Sequence, residues 1–362
     1  MKLQPSLPCG VTAAPIFIPE ATYGAVRGVG GDELANAGVR IVMGNAFHLM
    51  RQPGITRVNA LGGLKAMMGW SGLLMTDSGG YQAYSLIRKG SKFGHISRDG
   101  LTFRPEGSTR DIKLTAERAI INQLRLGADI LFCPDDCTHA DDPPEQQQLS
   151  VERTMRWAAT CKKAFRSALG RRADEPDRPR LYGVVQGGRD ERLRRRCAEA
   201  LLEIGFDGYG FGGWPLDGER KLLADVFALV RDLIPREFPL HALGVGHPAS
   251  IVQCARMGYQ LFDSSLPTRD ARRGRLYRFT QAMPSLDAES WFDYVYIQDE
   301  IHARSKAPVA ENCPCIACRS YSRGYLNHLA NREEPLFWRL ATLHNLTFMR
   351  QLTDLLAKEA QA

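Results

Sequence analysis

Cys313, Cys315 and Cys318 lie within one six-residue run, and His344 follows in the segment Thr-Leu-His-Asn-Leu. Three thiolates and one imidazole at this spacing make a closed tetrahedral zinc set, with no position left for water or substrate. His302 and His328 are the competing imidazoles. His344 is taken as the fourth ligand because it lies far enough beyond the last thiol for an intervening helix to return it to the metal. Such a site holds structure, so the chemistry must sit elsewhere. Three carboxylates and a carboxamide can supply it: Asp77 in Asp77-Ser78-Gly-Gly-Tyr81-Gln82, Asp135 in Asp135-Asp136-Cys137, Gln186 in Gln186-Gly-Gly188, and Asp263 in Asp263-Ser-Ser. Paired carboxylates can break a glycosidic bond, one attacking the anomeric carbon while the other protonates the leaving group. Asp135 and Gln186 can instead read the edge of a planar base, since Asp accepts from ring N–H and amino donors while Gln both donates and accepts. Glycines at 187, 188, 212, 213, 244 and 246 let backbone approach a ring closely, and Tyr81 offers a stacking face. A purine suits this set.

Any one of these aspartates could cap a helix or close a turn. What favours a site is their common position, directly after short apolar runs. Eight such runs recur, at residues 15–18, 39–43, 73–76, 129–133, 181–185, 208–211, 240–243 and 259–262. Runs of four or five apolar residues are strands buried on both faces, and their alternation with helical patterns implies parallel pairing through right-handed crossovers. Eight units predict an α/β fold, a (β/α)8 TIM barrel, whose active site is built at the carboxyl ends of the strands. An open dinucleotide-binding sheet is disfavoured, because Gly28-Val-Gly30-Gly31-Asp-Glu33 lacks the final glycine and does not follow the first strand directly. Two segments interrupt the rhythm. A β-hairpin insertion is expected at about 90–106, with Asp99-Gly100 as its turn. A C-terminal zinc-binding helical subdomain packed on the barrel is expected over 281–362, leaving 1–280 as the barrel. Residues 171–180, rich in charge and proline, read as an exposed loop.

A chain of 362 residues, 44% of them hydrophobic, can bury the core of one large barrel. The absence of a long apolar stretch or a signal-peptide pattern makes a cytoplasmic protein with no membrane partner the expectation. Nine cysteines, an odd number with three assigned to metal, point to a reducing compartment. The net charge of +7 permits a polyanionic partner. It is unevenly spread: Arg269, Arg272, Arg273, Arg275 and Arg278 form one cluster, and Arg192, Arg194, Arg195 and Arg196 another, which reads as a solvated helix face.

At these residues the sequence resembles the tRNA-guanine transglycosylases (queuine tRNA-ribosyltransferases) that make queuosine. The resemblance is carried by Thr76-Asp-Ser-Gly-Gly-Tyr-Gln82, Val185-Gln-Gly-Gly188, Leu261-Phe-Asp-Ser-Ser-Leu-Pro-Thr-Arg269, the three cysteines with Tyr321-Ser-Arg-Gly-Tyr-Leu, and Leu343-His-Asn-Leu346. Gly44-Asn-Ala-Phe-His-Leu49 and Thr22-Tyr-Gly-Ala-Val-Arg27 extend it, so that it runs from about Ala13 to Phe348. It implies a pentosyltransferase that exchanges the wobble guanine of GUN-anticodon tRNAs for a 7-deazaguanine. Asp263 matches the nucleophile that attacks C1′ of the ribose and forms an aspartyl-ribosyl link, and Asp77 the general acid/base. Asp135, Gln186 and Gly213 match the base-reading set, with Ser78 adding a hydrogen bond, Tyr81 stacking on the ring and Leu243 as the opposite apolar wall. Arg269 and Arg272 match contacts to the tRNA anticodon loop, from which the target base must unstack. The resemblance further implies structural Zn2+, free guanine and a free 7-deazaguanine base as exchange partners, a homodimer, and no redox or nucleotide cofactor.

Two stretches depart from the family's usual pattern. Gly212-Gly-Trp-Pro-Leu-Asp-Gly-Glu219 carries one additional residue, and its Trp214 and Pro215 alter the backbone that would meet a substituent on the base. The run Cys133-Pro134-Asp135-Asp136-Cys137 lacks the usual aromatic residue before Asp135, and Leu243 replaces a more usual Met. The inserted base, precursor or queuine, therefore stays open. A relative acting on DNA or another RNA, or a non-catalytic RNA-binding accessory subunit, are the alternatives. Retention of both Asp77 and Asp263 weighs against the last.

Overall fold

Along the strands of this chain, successive apolar side chains serve two different cores. In the computed structural model, Ile16 and Ile18 pack with Ile41, Met43, Met75, Ile130, Phe132, Tyr182, Val184 and Leu261 in one cluster, while Phe17, Val42, Leu74, Leu131, Leu181 and Phe262 join another. The first cluster fills the inside of a barrel and the second lies between barrel and helices, as period-two alternation in doubly buried strands requires. The structure describes residues 14–361 apart from Glu106, Ser108 and Met283. The first residues of the expected barrel domain, the Ala13 end of the resemblance, the Glu106 end of the expected insertion and Ala362 lie outside the described residues.

The strands are β1 (Ile16–Ala21), β2 (Ile41–Gly44), β3 (Leu73–Thr76), β4 (Gly94–Ser97), β5 (Gly100–Phe103), β6 (Ile112–Thr115), β7 (Ile130–Phe132), β8 (Arg180–Val185), β9 (Gly208–Phe211), β10 (Leu240–Ala242), β11 (Leu261–Ser264), β12 (Arg275–Phe279) and β13 (Phe292–Tyr296). Eight of them close a barrel in the order β1-β11-β10-β9-β8-β7-β3-β2, and every pairing is parallel. Each of the eight apolar runs contributes one of these strands. Arg180, expected in an exposed loop, is instead the buried first residue of β8.

The insertion between β3 and β7 is a three-stranded antiparallel sheet, β4-β5-β6, rather than a hairpin alone. Its first turn lies at Arg98-Asp99, because Ser97 pairs with Gly100 inside the ladder. Gly100 has φ +145°, and a Cβ there would sit 2.3 Å from the Leu114 carbonyl, so the glycine serves the close approach of β6 and not the turn.

After β11, strands β12 and β13 pair as an antiparallel ribbon that crosses residue 280. The helix Pro335–Glu359 then serves two cores at once. Its Phe337, Leu340 and Ala341 pack with Cys313 and Cys315, while Leu346, Phe348, Met349 and Leu352 join the core around the barrel. Among the described residues, no helix is long and apolar enough to cross a membrane.

Candidate active site

Asp77 follows β3 by one residue and is met by the start of the helix Ala46–Arg51. The Ala46 amide donates to Asp77 Oδ1 at 2.7 Å and Asn45 Nδ2 to Oδ2 at 2.8 Å. Asn45 also caps that helix by accepting from the His48 amide, so one residue fixes both the helix start and the carboxyl. Burial pushes Asp77 up; the Ala46 amide opposes this, the Asp263 charge adds to it, and the group ends at about 7. The neighbouring Ser78 is buried and its hydroxyl accepts from the Gly80 amide.

Asp263 lies on β11, one inward step beyond Leu261, and its Oδ1 accepts from the Gly244 amide at 3.1 Å and contacts His241 Nε2 at 2.7 Å. His241 is fully buried and its Nδ1 has no hydrogen-bond partner among the described residues, so we assign the imidazole proton to Nε2; a buried bare lone pair costs less than a buried unpaired N–H. Glu20, near the end of β1, lies within interaction range of the Asp263 and Asp77 carboxyls. Asp77, Asp263 and Glu20 thus interact at one end of the barrel, the carboxyl end of its strands.

Around the same rim, Asp135 Oδ2 accepts from Gln186 Nε2 at 2.5 Å. Burial drives the Asp135 carboxyl up to about 6, against the lowering effect of the Gln186 bond. Gly213 has φ +92°, and a Cβ there would lie 3.0 Å from the Thr138 carbonyl oxygen, so both the backbone conformation and the close approach favour glycine. Leu243 is half-buried against the barrel interior. Tyr81 stacks on Trp214 with ring centroids 5.9 Å apart, and both rings remain exposed. Asp136, next to the base-reading candidate, is engaged elsewhere: its carboxylate pairs with Arg153 at 2.8 Å.

Arg194 corrects the expected solvated face of the helix Glu191–Ile204. It is buried, donating from Nε to the Gly188 carbonyl at 2.9 Å and from Nη1 to the Val185 carbonyl at 2.5 Å, with its guanidinium 4.7 Å from the Phe211 ring centroid. Burial lowers its pKa to about 10. The charge is desolvated there because it holds the turn that carries Gln186.

The larger arginine cluster divides in two. Arg275 and Arg278 pair with Asp270 and Asp293, and Arg275 also lies over Tyr294. Arg269 is exposed and Arg272 half-buried on the helix Leu266–Arg272, which begins two residues after β11. Burial and the charges of Arg27, Arg269 and Arg273 lower the Arg272 pKa, which marks a concentrated positive surface beside Asp263.

In the segment after β13, the ligand atoms of Cys313, Cys315, Cys318 and His344 all lie within 4.8 Å of one another. His344 Nδ1 is 3.6, 3.4 and 3.3 Å from the three sulfurs. A tetrahedral ion with metal–sulfur and metal–nitrogen distances of about 2.3 and 2.0 Å separates S and N by about 3.5 Å, so the cluster has the size of a metal site. His344 Nε2 meets the Tyr277 carbonyl at 2.8 Å, fixing the ring so that Nδ1 faces the sulfurs. His302 and His328 are not in the cluster.

A family model described as queuine tRNA-ribosyltransferase matches residues 4–359. The chain belongs to the queuine tRNA-ribosyltransferase family. A queuine tRNA-ribosyltransferase of Thioalkalivibrio sulfidiphilus is 37% identical over 359 residues, covering 98% of this chain and 90% of the relative. Those of Novosphingobium aromaticivorans and Symbiobacterium thermophilum are each 36% identical, covering 95% and 96% of this chain and 86% and 81% of their own lengths. Membership in the queuine tRNA-ribosyltransferase family makes the chain a pentosyltransferase.

Sequence reasoning missed Glu20, Asn45 and His241. Glu20 lies just past the apolar run at 15–18, in a strand that extends to Ala21. The inward parity of Ile16 and Ile18 was the signal that could have found it. His241 sits inside an apolar run at an inward position, where it reads as core.

Proposed function

We propose that the chain is a tRNA-guanine transglycosylase of queuosine biosynthesis, exchanging the wobble guanine of GUN-anticodon tRNAs for a 7-deazaguanine through a covalent aspartyl-ribosyl intermediate. The observation that carries this reading is the convergence of Asp263 and Asp77 on one barrel mouth beside the Asp135–Gln186 pair. Asp263, anionic and steadied by the Gly244 amide, attacks ribose C1′ as the bond to guanine breaks. Asp77 protonates the departing guanine, then takes a proton from the incoming base as that base displaces Asp263. Two displacements at C1′ retain its configuration. A pKa of about 7 suits a group that must both give and accept a proton near neutrality.

Asp135, Gln186, Gly213 and Ser78 read the base, Tyr81 stacks on it and Leu243 closes the other side. Arg269 and Arg272 hold phosphates of the anticodon loop, while the exchange partners are free guanine and the 7-deazaguanine. Cys313, Cys315, Cys318 and His344 hold structural zinc, which supplies fold stability and no chemistry at C1′. A homodimer working in the cytoplasm completes the reading. Incorporation of labelled guanine into unmodified GUN-anticodon tRNA tests it, with duplex and single-stranded DNA in parallel. Labelled tRNA is the expected result, and labelled DNA without labelled tRNA would reverse the substrate assignment.

A further inference from the structure

The barrel register brings a third carboxyl group to Asp263. Ile16 and Ile18 point into the barrel, so the next inward position of β1 belongs to Glu20. Ile18 is level with Asp263 on β11, and His241 is level with Leu261 from β10 on the far side. Asp263 therefore stands between Glu20 on one neighbouring strand and His241 on the other.

The register sets the Glu20 carboxyl against that of Asp263, within reach of a hydrogen bond between them. Two carboxyl groups can make that contact only by sharing one proton, since a carboxylate is acceptor-only. Asp263 already accepts from the Gly244 amide and meets His241 Nε2, so two donors are directed at its oxygens. Among the described residues Glu20 has no such donors, and burial together with the charges of Asp263 and Asp77 raises its pKa well above the ordinary carboxyl value. The proton belongs on Glu20.

We propose that Glu20 is a positioning residue of the transglycosylation site: a neutral carboxylic acid that donates its O–H to Asp263 and, with His241 opposite, fixes the rotamer in which that carboxylate meets ribose C1′. No proton changes hands, and Glu20 keeps its own throughout. The inference rests on the reading of Asp263 as nucleophile. Its pH consequence involves Asp263 from β11, Asp77 from the end of β3 and His241 from β10 acting through Asp263; the β2 residue in register with Glu20 is Met43, which does not titrate. Ionisation of Glu20 would place like charge against the nucleophile, so adduct formation falls on the alkaline side.

The test compares Glu20→Gln and Glu20→Ala in the full-length protein, by rate of covalent adduct formation with unmodified tRNA and by tRNA affinity. Gln keeps a neutral N–H donor and should hold the adduct rate within about threefold, whereas Ala removes the donor and should cost about tenfold or more. Affinity for tRNA should change less than about twofold in both, since phosphate contacts dominate it. Infrared difference spectra in the Asp77→Asn background, where Asp77 is removed from the signal, should show a protonated carboxylic acid at neutral pH that Glu20→Gln abolishes. Wild-type adduct rates in Glu20→Ala, equal losses in both variants, or no infrared change would overturn the proposal. Asp263→Asn separates the two levels: adduct formed by that variant sinks the underlying assignment of the nucleophile. Its absence, with failure of the Glu20 results, sinks only the role of Glu20.

Discussion

Asp77 is where residue chemistry and stability pull in opposite directions. Its pKa is raised from the ordinary carboxyl range to about 7, so between about pH 4 and 7 the folded protein binds a proton that the unfolded chain does not. The sign follows: stability contributed by this group declines as pH rises through that window, and the penalty is complete above about 7. Asp77→Asn should therefore raise the melting temperature at about pH 8 and change it much less at about pH 4, while exchange activity is lost. Thermal melts at the two pH values check this; a stability gain that is equal at both would contradict it. Asp77, Asp135, Gln186 and Asp263 were legible in the sequence because each stands where an apolar run stops. Glu20 and His241 were not, because their role comes from neighbours on other strands, and parity within β1 and β10 has meaning only once the barrel is closed.

Arg194 shows the same limit at the scale of elements. In a run of four arginines within five residues, sequence gives no reason to single one out, yet this side chain joins the helix Glu191–Ile204 to the end of β8 and to Phe211 on β9. Arg194→Met keeps much of the apolar contact but leaves the Gly188 carbonyl without its donor and the Val185 carbonyl with the Gly212 amide alone. It should cost about 2–4 kcal/mol in urea unfolding and raise the KM for the free base, since the turn bearing Gln186 loses its anchor. Substitution of Arg195, exposed and paired with Glu191, should stay within about 0.5 kcal/mol. The eight barrel strands were readable because doubly buried parallel strands are continuous apolar runs. The strands β6, β12 and β13 were not, being half-exposed, and β12 was concealed by the arginines it carries.

Across the whole molecule, the cysteine–histidine cluster and the barrel share one helix. His344 points to the sulfurs from the middle of Pro335–Glu359, two residues before Leu346 enters the core around the barrel. Loss of metal should therefore propagate beyond the cysteine loop. Chelation, or Cys318→Ala, should lower bound zinc and the melting temperature of the entire protein together, in a single transition. Two separated transitions, or full stability without metal, would show the cluster to be independent of the barrel. Spacing alone made the thiols legible, whereas the double duty of the last helix emerges only from where its two apolar faces land.

In the proposed reaction Asp263 becomes bonded to the ribose of the RNA substrate. Denaturing gels of the protein mixed with unmodified GUN-anticodon tRNA test it most directly. The wild-type chain should give a band of protein joined to tRNA, and Asp263→Asn, tested at equal fold stability, should give none. A band of wild-type intensity from Asp263→Asn, or none from the wild type during active exchange, would contradict the mechanism.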